Sequence, residues 1–201
     1  MVCCPDYGAM VSHSSAPGFV VAVDSGLIAP ARQCPSPNCD ARPDGATLDL
    51  IVIHGISLPP GEFGNGCVAS FFCNQLDPAG HPYFAEIAAL KVSAHLLIER
   101  DGGVIQFVPF LQRAWHAGVS QWQGRERCND FSVGIELEGT DELAYSAAQY
   151  ATLNAVLKAL RTAYPSLANA AVVGHSDIAP GRKTDPGSAF DWGALRPVEG
   201  H

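Results

Sequence analysis

Charge is scarce in this chain. Asp, Glu, Lys and Arg make up 16% of its 201 residues, while apolar residues make up 47%. That balance excludes a chain kept unfolded by low hydrophobicity and self-repulsion, and it allows a sizeable core. Basic residues are the scarcer sign: 12 Lys and Arg against 20 Asp and Glu, a net charge of −8, with no cluster of Lys or Arg. A protein that tracks a phosphate backbone needs a basic face, so a nucleic-acid partner is not expected. Long apolar runs are missing too. None approaches the roughly 18 residues of a membrane span, so a membrane partner is not expected either. The first residues lack a basic stretch followed by an apolar one. The seven cysteines, an odd number, therefore read as reduced thiols in a cytoplasmic protein.

Glycine and proline, by contrast, are plentiful, at 20 and 15 residues. They imply long, shaped loops around a compact centre, and such loops often carry function. The length suits one domain. Residues 1–25 have weak patterning and read as an N-terminal extension of unassigned role, with Met10 as an alternative start. Residues 26–201 read as the domain.

Within the domain, residues 30–47 read as an ordered loop. The apolar run Leu48–Ile53 reads as a buried strand ending at His54-Gly55. Residues 57–83 read as a long loop with a short helix near Val68–Phe72. Two apolar runs, His95–Ile98 and Val104–Val108, flank Asp101-Gly102-Gly103 and predict a hairpin. Phe131–Leu137 reads as a strand. Ser146–Tyr164 is the clearest helix, with Ser146 and Gln149 at capping-box spacing and a stripe of Ala147, Tyr150, Leu153, Leu157, Leu160 and Tyr164. Ala170–Val173 reads as a strand ending at Gly174-His175. A hairpin beside strands joined through a helix makes the class α/β with a mixed sheet.

His54 and His175 thus each sit at the carboxyl end of a short apolar strand, and ligands in open α/β sheets bind at carboxyl ends of strands. With a carboxylate, two imidazoles make a catalytic metal set that leaves a position for water. Asp185 supplies that carboxylate in one reading and Asp177 in another. His81, His95, His116, His13 and His201 are alternatives to the histidines. In Val133–Glu138, apolar residues alternate with Gly134, Glu136 and Glu138. Either both carboxylates face solvent, or Glu136 faces a cleft as a general base. Lys183 shares a side with Asp185 if the segment is extended, and is an oxyanion stabiliser or a solvated loop lysine. A zinc knuckle at Cys34 and Cys39 is weaker than a plain loop, because the spacing is loose and no second pair follows.

At these residues the chain resembles a known family. The runs Cys34-Pro35-Ser36-Pro37, His54–Phe63, Val92–His95, Arg113–Ser120, Gly124–Ser132, Gly134–Asp141, Gly174-His175, Asp177–Pro180, Arg182–Gly187 and Phe190–Trp192 follow, in order, a pattern covering about residues 26–196. The pattern is similar to that of the zinc N-acetylmuramoyl-L-alanine amidases, a family that also includes phage lysozyme-type amidases and peptidoglycan-recognition proteins. The resemblance implies a single α/β domain with a central mixed sheet, flanking helices and long functional loops. It implies Zn²⁺ held by His54, His175 and Asp185, with Glu136 activating water and Lys183 supporting the oxyanion. Trp115 and Arg127 match positions that contact substrate. So do Gly55 and Lys91, where the family usually has Asn and often has Arg; both departures bear on substrate affinity. The implied substrate is an anhydro-muropeptide cut between muramic acid and L-alanine, in cell-wall recycling and the control of β-lactamase induction. Three other readings are an amidase of intact wall, which would need export, a binding-only muropeptide sensor, and a structural or interaction protein with a chance histidine cluster that binds no zinc.

Overall fold

The computed structural model describes residues 18–196. Most of the N-terminal segment, with Cys3, Cys4 and His13, lies outside the described residues, as does His201. In chain order the strands are β1 (Val20–Ala22), β2 (Leu27–Ala29), β3 (Arg32–Gln33), β4 (Cys39–Ala41), β5 (Leu50–Ile56), β6 (Leu96–Ile98), β7 (Val104–Gln106), β8 (Gln112–Ala114), β9 (Gln121–Trp122), β10 (Arg125–Glu126), β11 (Ser132–Glu138) and β12 (Ala171–Gly174). The helices are α1 (Cys67–Phe72), α2 (Pro82–Ile87), α3 (Ala147–Ala163) and α4 (His175–Ile178).

Six strands form the central sheet in the order β12-β5-β11-β6-β7-β3. β12, β5, β11 and β6 run parallel, and β6 turns back antiparallel into β7. The sheet is therefore mixed, as the order of elements predicts. The turn from β6 to β7 is held by Asp101, whose Oδ1 accepts from the Gly103 amide at 2.8 Å.

The pleat of β5 and β11 divides the domain. Ile51, Ile53, Val133, Ile135 and Leu137 pack on one side against Leu153, Val156, Leu157 and Leu160 of α3. Each such fully buried side chain contributes about 1.5–3 kcal/mol. On the other side Leu50 and Val52 meet Ala117, Cys128, Phe131 and Ile178. Farther along that side, Phe71 and Phe72 of α1 and Phe84 of α2 cover Leu97, Ile105 and Phe107. β5 is covered on both faces, so its sequence reads as a continuous apolar run.

Several expectations shift in detail. β3 and β4 lie within the segment read as loop, and α2 follows the long loop without a signal of its own. These elements have two, three and six residues, too few for a period to show. The α2 start is instead set by Pro82 in its first turn and by His81, whose Nδ1 accepts from the Tyr83 amide at 3.1 Å. Ala147 is exposed, because the buried face of α3 runs through Gln149, Leu153, Val156 and Leu160. Val21 of β1 and Ile28 of β2 join the core under α3, so residues 20–22, inside the segment read as an extension, pack with the domain. Among the described residues, no helix is long and apolar enough to cross a membrane.

The capping box of α3 is complete. Ser146 Oγ accepts from the Gln149 amide at 3.1 Å, and Gln149 Oε1 accepts from the Ser146 amide at 3.0 Å. The same hydroxyl donates to the Arg100 carbonyl at 2.7 Å, tying the helix start to the β6–β7 turn. Ser146→Ala is expected to lower stability by about 1 kcal/mol, read as a lower urea midpoint with an unchanged slope.

Candidate active site

The sheet register assembles the site. His54 on β5 lies directly opposite Glu136 on β11, so the two side chains leave the same face as neighbours. On the other side of β5, Gly174 of β12 lies opposite Ile53. The next residue, His175, opens α4 and comes level with His54. His54 thus lies near the carboxyl end of β5, and His175 is the first residue of a short helix that directly follows β12. The chain then returns through Pro180–Gly187. The Ser176 amide donates to the Asp185 carbonyl at 3.0 Å, and the Gly187 amide donates to the Thr184 carbonyl at 3.0 Å. Gly187 has φ +83°, and a Cβ there would collide with Asp141. Only glycine lets this turn close and bring Asp185 back to the histidines.

His54 Nδ1 lies 3.0 Å from His175 Nδ1 and 3.1 Å from Asp185 Oδ2, and His175 Nδ1 lies 3.2 Å from Asp185 Oδ2. Bonds of about 2.0 Å to a tetrahedral ion would place its ligand atoms about 3.3 Å apart, so the triangle fits a small cation. His175 Nε2 donates to the Ala117 carbonyl at 3.2 Å, which leaves Nδ1 as a lone pair facing the group. Burial holds the His54 pKa down at about 4. Asp185, which burial alone would raise, is held well below the usual carboxylate range by the His175 and His54 imidazoles beside it. Two neutral imidazoles and an ionised carboxylate are what a divalent cation requires. Asp177, the rival carboxylate, is occupied: its Oδ2 accepts from the Gly174 amide at 2.7 Å.

Glu136 is 8% exposed, and its Oε2 is buried with no hydrogen-bond partner. Burial first, and the charge of Asp185 second, push its pKa well above the ordinary value, while Lys183 opposes them. A strained carboxylate in a cleft suits a general base. Glu138 is 3% exposed, yet it is satisfied by the amides of Gly64 at 2.9 Å and Arg100 at 3.2 Å. Neither carboxylate faces open solvent. The paired glutamates divide into one that holds loops and one left free.

A cleft of about 620 Å³ surrounds these groups, within the usual range for a small-molecule site. Lys183, Gly55 and Trp115 line it together with the three candidate ligands and Glu136. Trp115 Nε1 donates to Asp40 Oδ1 at 3.2 Å, and Arg113 clasps the same carboxylate at 2.7 and 2.6 Å. The indole is thereby held at the cleft wall. A Cβ on Gly55 would run into the Tyr145 hydroxyl, which donates to the Pro186 carbonyl at 2.9 Å. The absent side chain at Gly55 leaves room for that hydroxyl beside the turn carrying Asp185. Arg127 and Lys91 are not among the cleft-lining residues. Arg127 is 70% exposed, with Nε 3.3 Å from Asp130 Oδ2, and Lys91 is exposed. Cys34 and Cys39 do not form a pair: Cys34 Sγ lies 3.3 Å from Cys73 Sγ, and Cys39 Sγ lies 3.2 Å from Gln112 Oε1.

Sequence reasoning set His116 aside as one histidine among several. Yet its Nδ1 lies 2.9 Å from His54 Nε2, and burial first holds its pKa well below the ordinary value. Its place in Trp115-His116-Ala117, inside a matching run, was the only available signal. His95 is structural. Its Nδ1 accepts from the Gly134 amide at 3.0 Å and its Nε2 reaches the Gln112 carbonyl at 3.1 Å.

Residues 44–188 match the family described as N-acetylmuramoyl-L-alanine amidase. The chain is 60% identical over 174 residues to the 1,6-anhydro-N-acetylmuramyl-L-alanine amidase AmpD of Escherichia coli (strain K12), covering 87% of this chain and 94% of that protein. A crystal structure of a selenomethionine derivative of AmpD superposes with a TM-score of 0.83 at 60% identity, covering 86% of this chain and 96% of the other. The AmpDh3 protein of Pseudomonas aeruginosa, solved in complex with anhydromuramic pentapeptide, aligns with a TM-score of 0.54 at 29% identity, covering 76% of this chain and 60% of the other. With matches of this extent over the residues that build the cleft, the chain belongs to the N-acetylmuramoyl-L-alanine amidases, hydrolases of an amide bond.

Proposed function

We propose that the chain hydrolyses the amide between anhydro-N-acetylmuramic acid and L-alanine in muropeptides, with Zn²⁺ held by His54, His175 and Asp185. The observation that carries this reading is the triangle of Nδ1, Nδ1 and Oδ2 atoms, 3.0–3.2 Å on each edge, beside the partnerless oxygen of Glu136. The high identity to AmpD and the muropeptide complex of AmpDh3 support the anhydro-muropeptide as substrate. The same reading gives the protein a role in cell-wall recycling, with control of β-lactamase induction, in the cytoplasm. The five free thiols among the described residues support a reducing compartment.

When bound, zinc polarises the amide carbonyl and makes water acidic enough to ionise near neutrality. Glu136 takes the proton of the attacking water as oxygen adds to the lactyl carbonyl carbon. The carbonyl electrons move to oxygen, where the ammonium of Lys183 supports the developing charge. Among the described residues Lys183 forms no ion pair, and it lines the cleft with Glu136. The carbon–nitrogen bond then breaks as Glu136 returns the proton to the alanine nitrogen. Trp115 offers its indole face to the substrate, while Gly55, Arg127 and Lys91 bear on substrate affinity.

Mass spectrometry of an anhydro-muropeptide incubated with the protein tests the reading. Free anhydro-sugar and stem peptide are expected, lost on chelation and restored by zinc. Intact substrate with zinc bound would instead favour a binding-only sensor. Glu136→Ala is expected to leave zinc stoichiometry unchanged and cut turnover by roughly 100- to 10,000-fold. Asp185→Ala is expected to weaken zinc binding, measured by competition with a chromogenic chelator. Glu136 must be ionised to accept a proton, and its pKa is raised. In the metal-loaded protein, turnover is expected to fall as pH drops, through a limb above the ordinary carboxylate value of about 4.3.

A further inference from the structure

We propose that His116, seated on Gly134 and held by Ser132, is a positioning residue that locks His54 in the tautomer whose Nδ1 faces the metal. The inference rests on the metal-site reading above, and it follows from counting protons along one chain of contacts.

Ser132 Oγ lies 2.6 Å from the Cys128 carbonyl oxygen. A carbonyl only accepts, so the single hydroxyl proton is spent there. The same Oγ lies 3.1 Å from His116 Nε2, and with its proton committed it must accept. His116 Nε2 therefore carries a proton. The hydrogen-bond partners of the buried ring are His54 and the Ser132 hydroxyl, with no carboxylate among them. A second proton would leave a buried cation without a counter-charge, which is costly. His116 Nδ1 is thus a lone pair, and the proton between it and His54 Nε2, 2.9 Å away, belongs to His54. With Nε2 protonated, neutral His54 keeps a lone pair on Nδ1, and a set of three acceptors, His54 Nδ1, His175 Nδ1 and Asp185 Oδ2, 3.0–3.2 Å apart, requires a cation between them.

Two further observations show that the relay is built into the fold. Gly134 sits in the middle of β11, and a Cβ there would collide with Cγ, Cδ2 and Nδ1 of the His116 ring. Its φ is not in the left-handed region, so glycine supplies space for the imidazole rather than backbone freedom. The amides of His116 and Ala117 both donate to Asn129 Oδ1, at 3.1 and 2.8 Å. The pinned dipeptide then addresses both imidazoles, His116 through its ring to His54 and Ala117 through its carbonyl to His175 Nε2.

The primary test removes the carboxylate that competes for a proton on His54 Nδ1. Long-range ¹H–¹⁵N correlation spectra of the metal-free, histidine-labelled Asp185→Ala protein at neutral pH are expected to show His54 as the Nε2–H tautomer. An Nδ1–H tautomer would overturn the proposal. His116→Phe keeps a ring but removes the acceptor; it is expected to release the His54 tautomer and weaken zinc binding by roughly 10- to 100-fold. His116→Gln, whose amide can accept from His54 and donate to Ser132, is expected to restore most of the affinity. Gly134→Ala, which unseats the ring without touching it chemically, is expected to weaken zinc binding as His116→Phe does. Folded His116→Phe protein, checked by circular dichroism, with wild-type zinc affinity and an unchanged tautomer would also overturn the proposal. If the wild type binds no zinc, the metal reading falls, and the tautomer spectrum still decides the relay.

Discussion

Everything in the site hangs on the parallel pairing of β5 with β11, which sets Glu136 opposite His54. That register is enforced from the far side of the sheet. Ile51, Ile53, Val133, Ile135 and Leu137 are buried under α3, and a slip of one residue would turn them outward and drive His54 and Glu136 into an apolar layer. Packing that has no contact with the cleft therefore fixes the distance between a candidate ligand and a candidate base. β12 extends the same device: its register with β5 delivers His175 to the level of His54.

The near face of β11 carries the cost of function. Ser132, Gly134, Glu136 and Glu138 follow one another along it, each with a different burden. Ser132 is spent on a carbonyl and a histidine, Gly134 gives up a side chain to an imidazole ring, and Glu138 binds two loop amides. Of these four, only Glu136 keeps a buried oxygen without a partner. Such an atom destabilises a fold by about 1–3 kcal/mol. Its persistence among otherwise satisfied neighbours marks the position where the fold gives up stability for reactivity.

Much of this was legible in the sequence, and the gaps have physical causes. The central strands showed as β-branched apolar runs, and α3 showed through its cap and its period. Elements of two to six residues did not show, because their boundaries depend on single contacts such as His81 to the Tyr83 amide. Composition and spacing brought His54, His175 and a carboxylate together but left Asp177 and Asp185 open. In the structure the tie breaks because Asp185 Oδ2 meets both histidines while the Gly174 amide claims Asp177. Alternation separated Glu136 and Glu138 from the apolar side of β11. What no pattern could supply was the burial of that second face by segments distant in the chain. His116 was passed over for the same reason: its partners, His54 and Ser132, lie 62 and 16 residues away.

The alternation along β11 also bears on how such a chain can vary. Since odd-numbered positions meet α3 and even-numbered ones meet the opposite side of the sheet, where Glu136 lines the cleft, the two sets form nearly separate alphabets written on one strand. Apolar exchanges among Val133, Ile135 and Leu137, matched by changes in α3, would adjust thermal tolerance while the geometry of the reactive groups stayed put. The reverse freedom is narrow. Each even-numbered position answers to a different partner, so drift there would have to be answered by a second change in a loop far away in sequence. The strand can record a history of adaptation to temperature on one side and hold its chemistry nearly silent on the other.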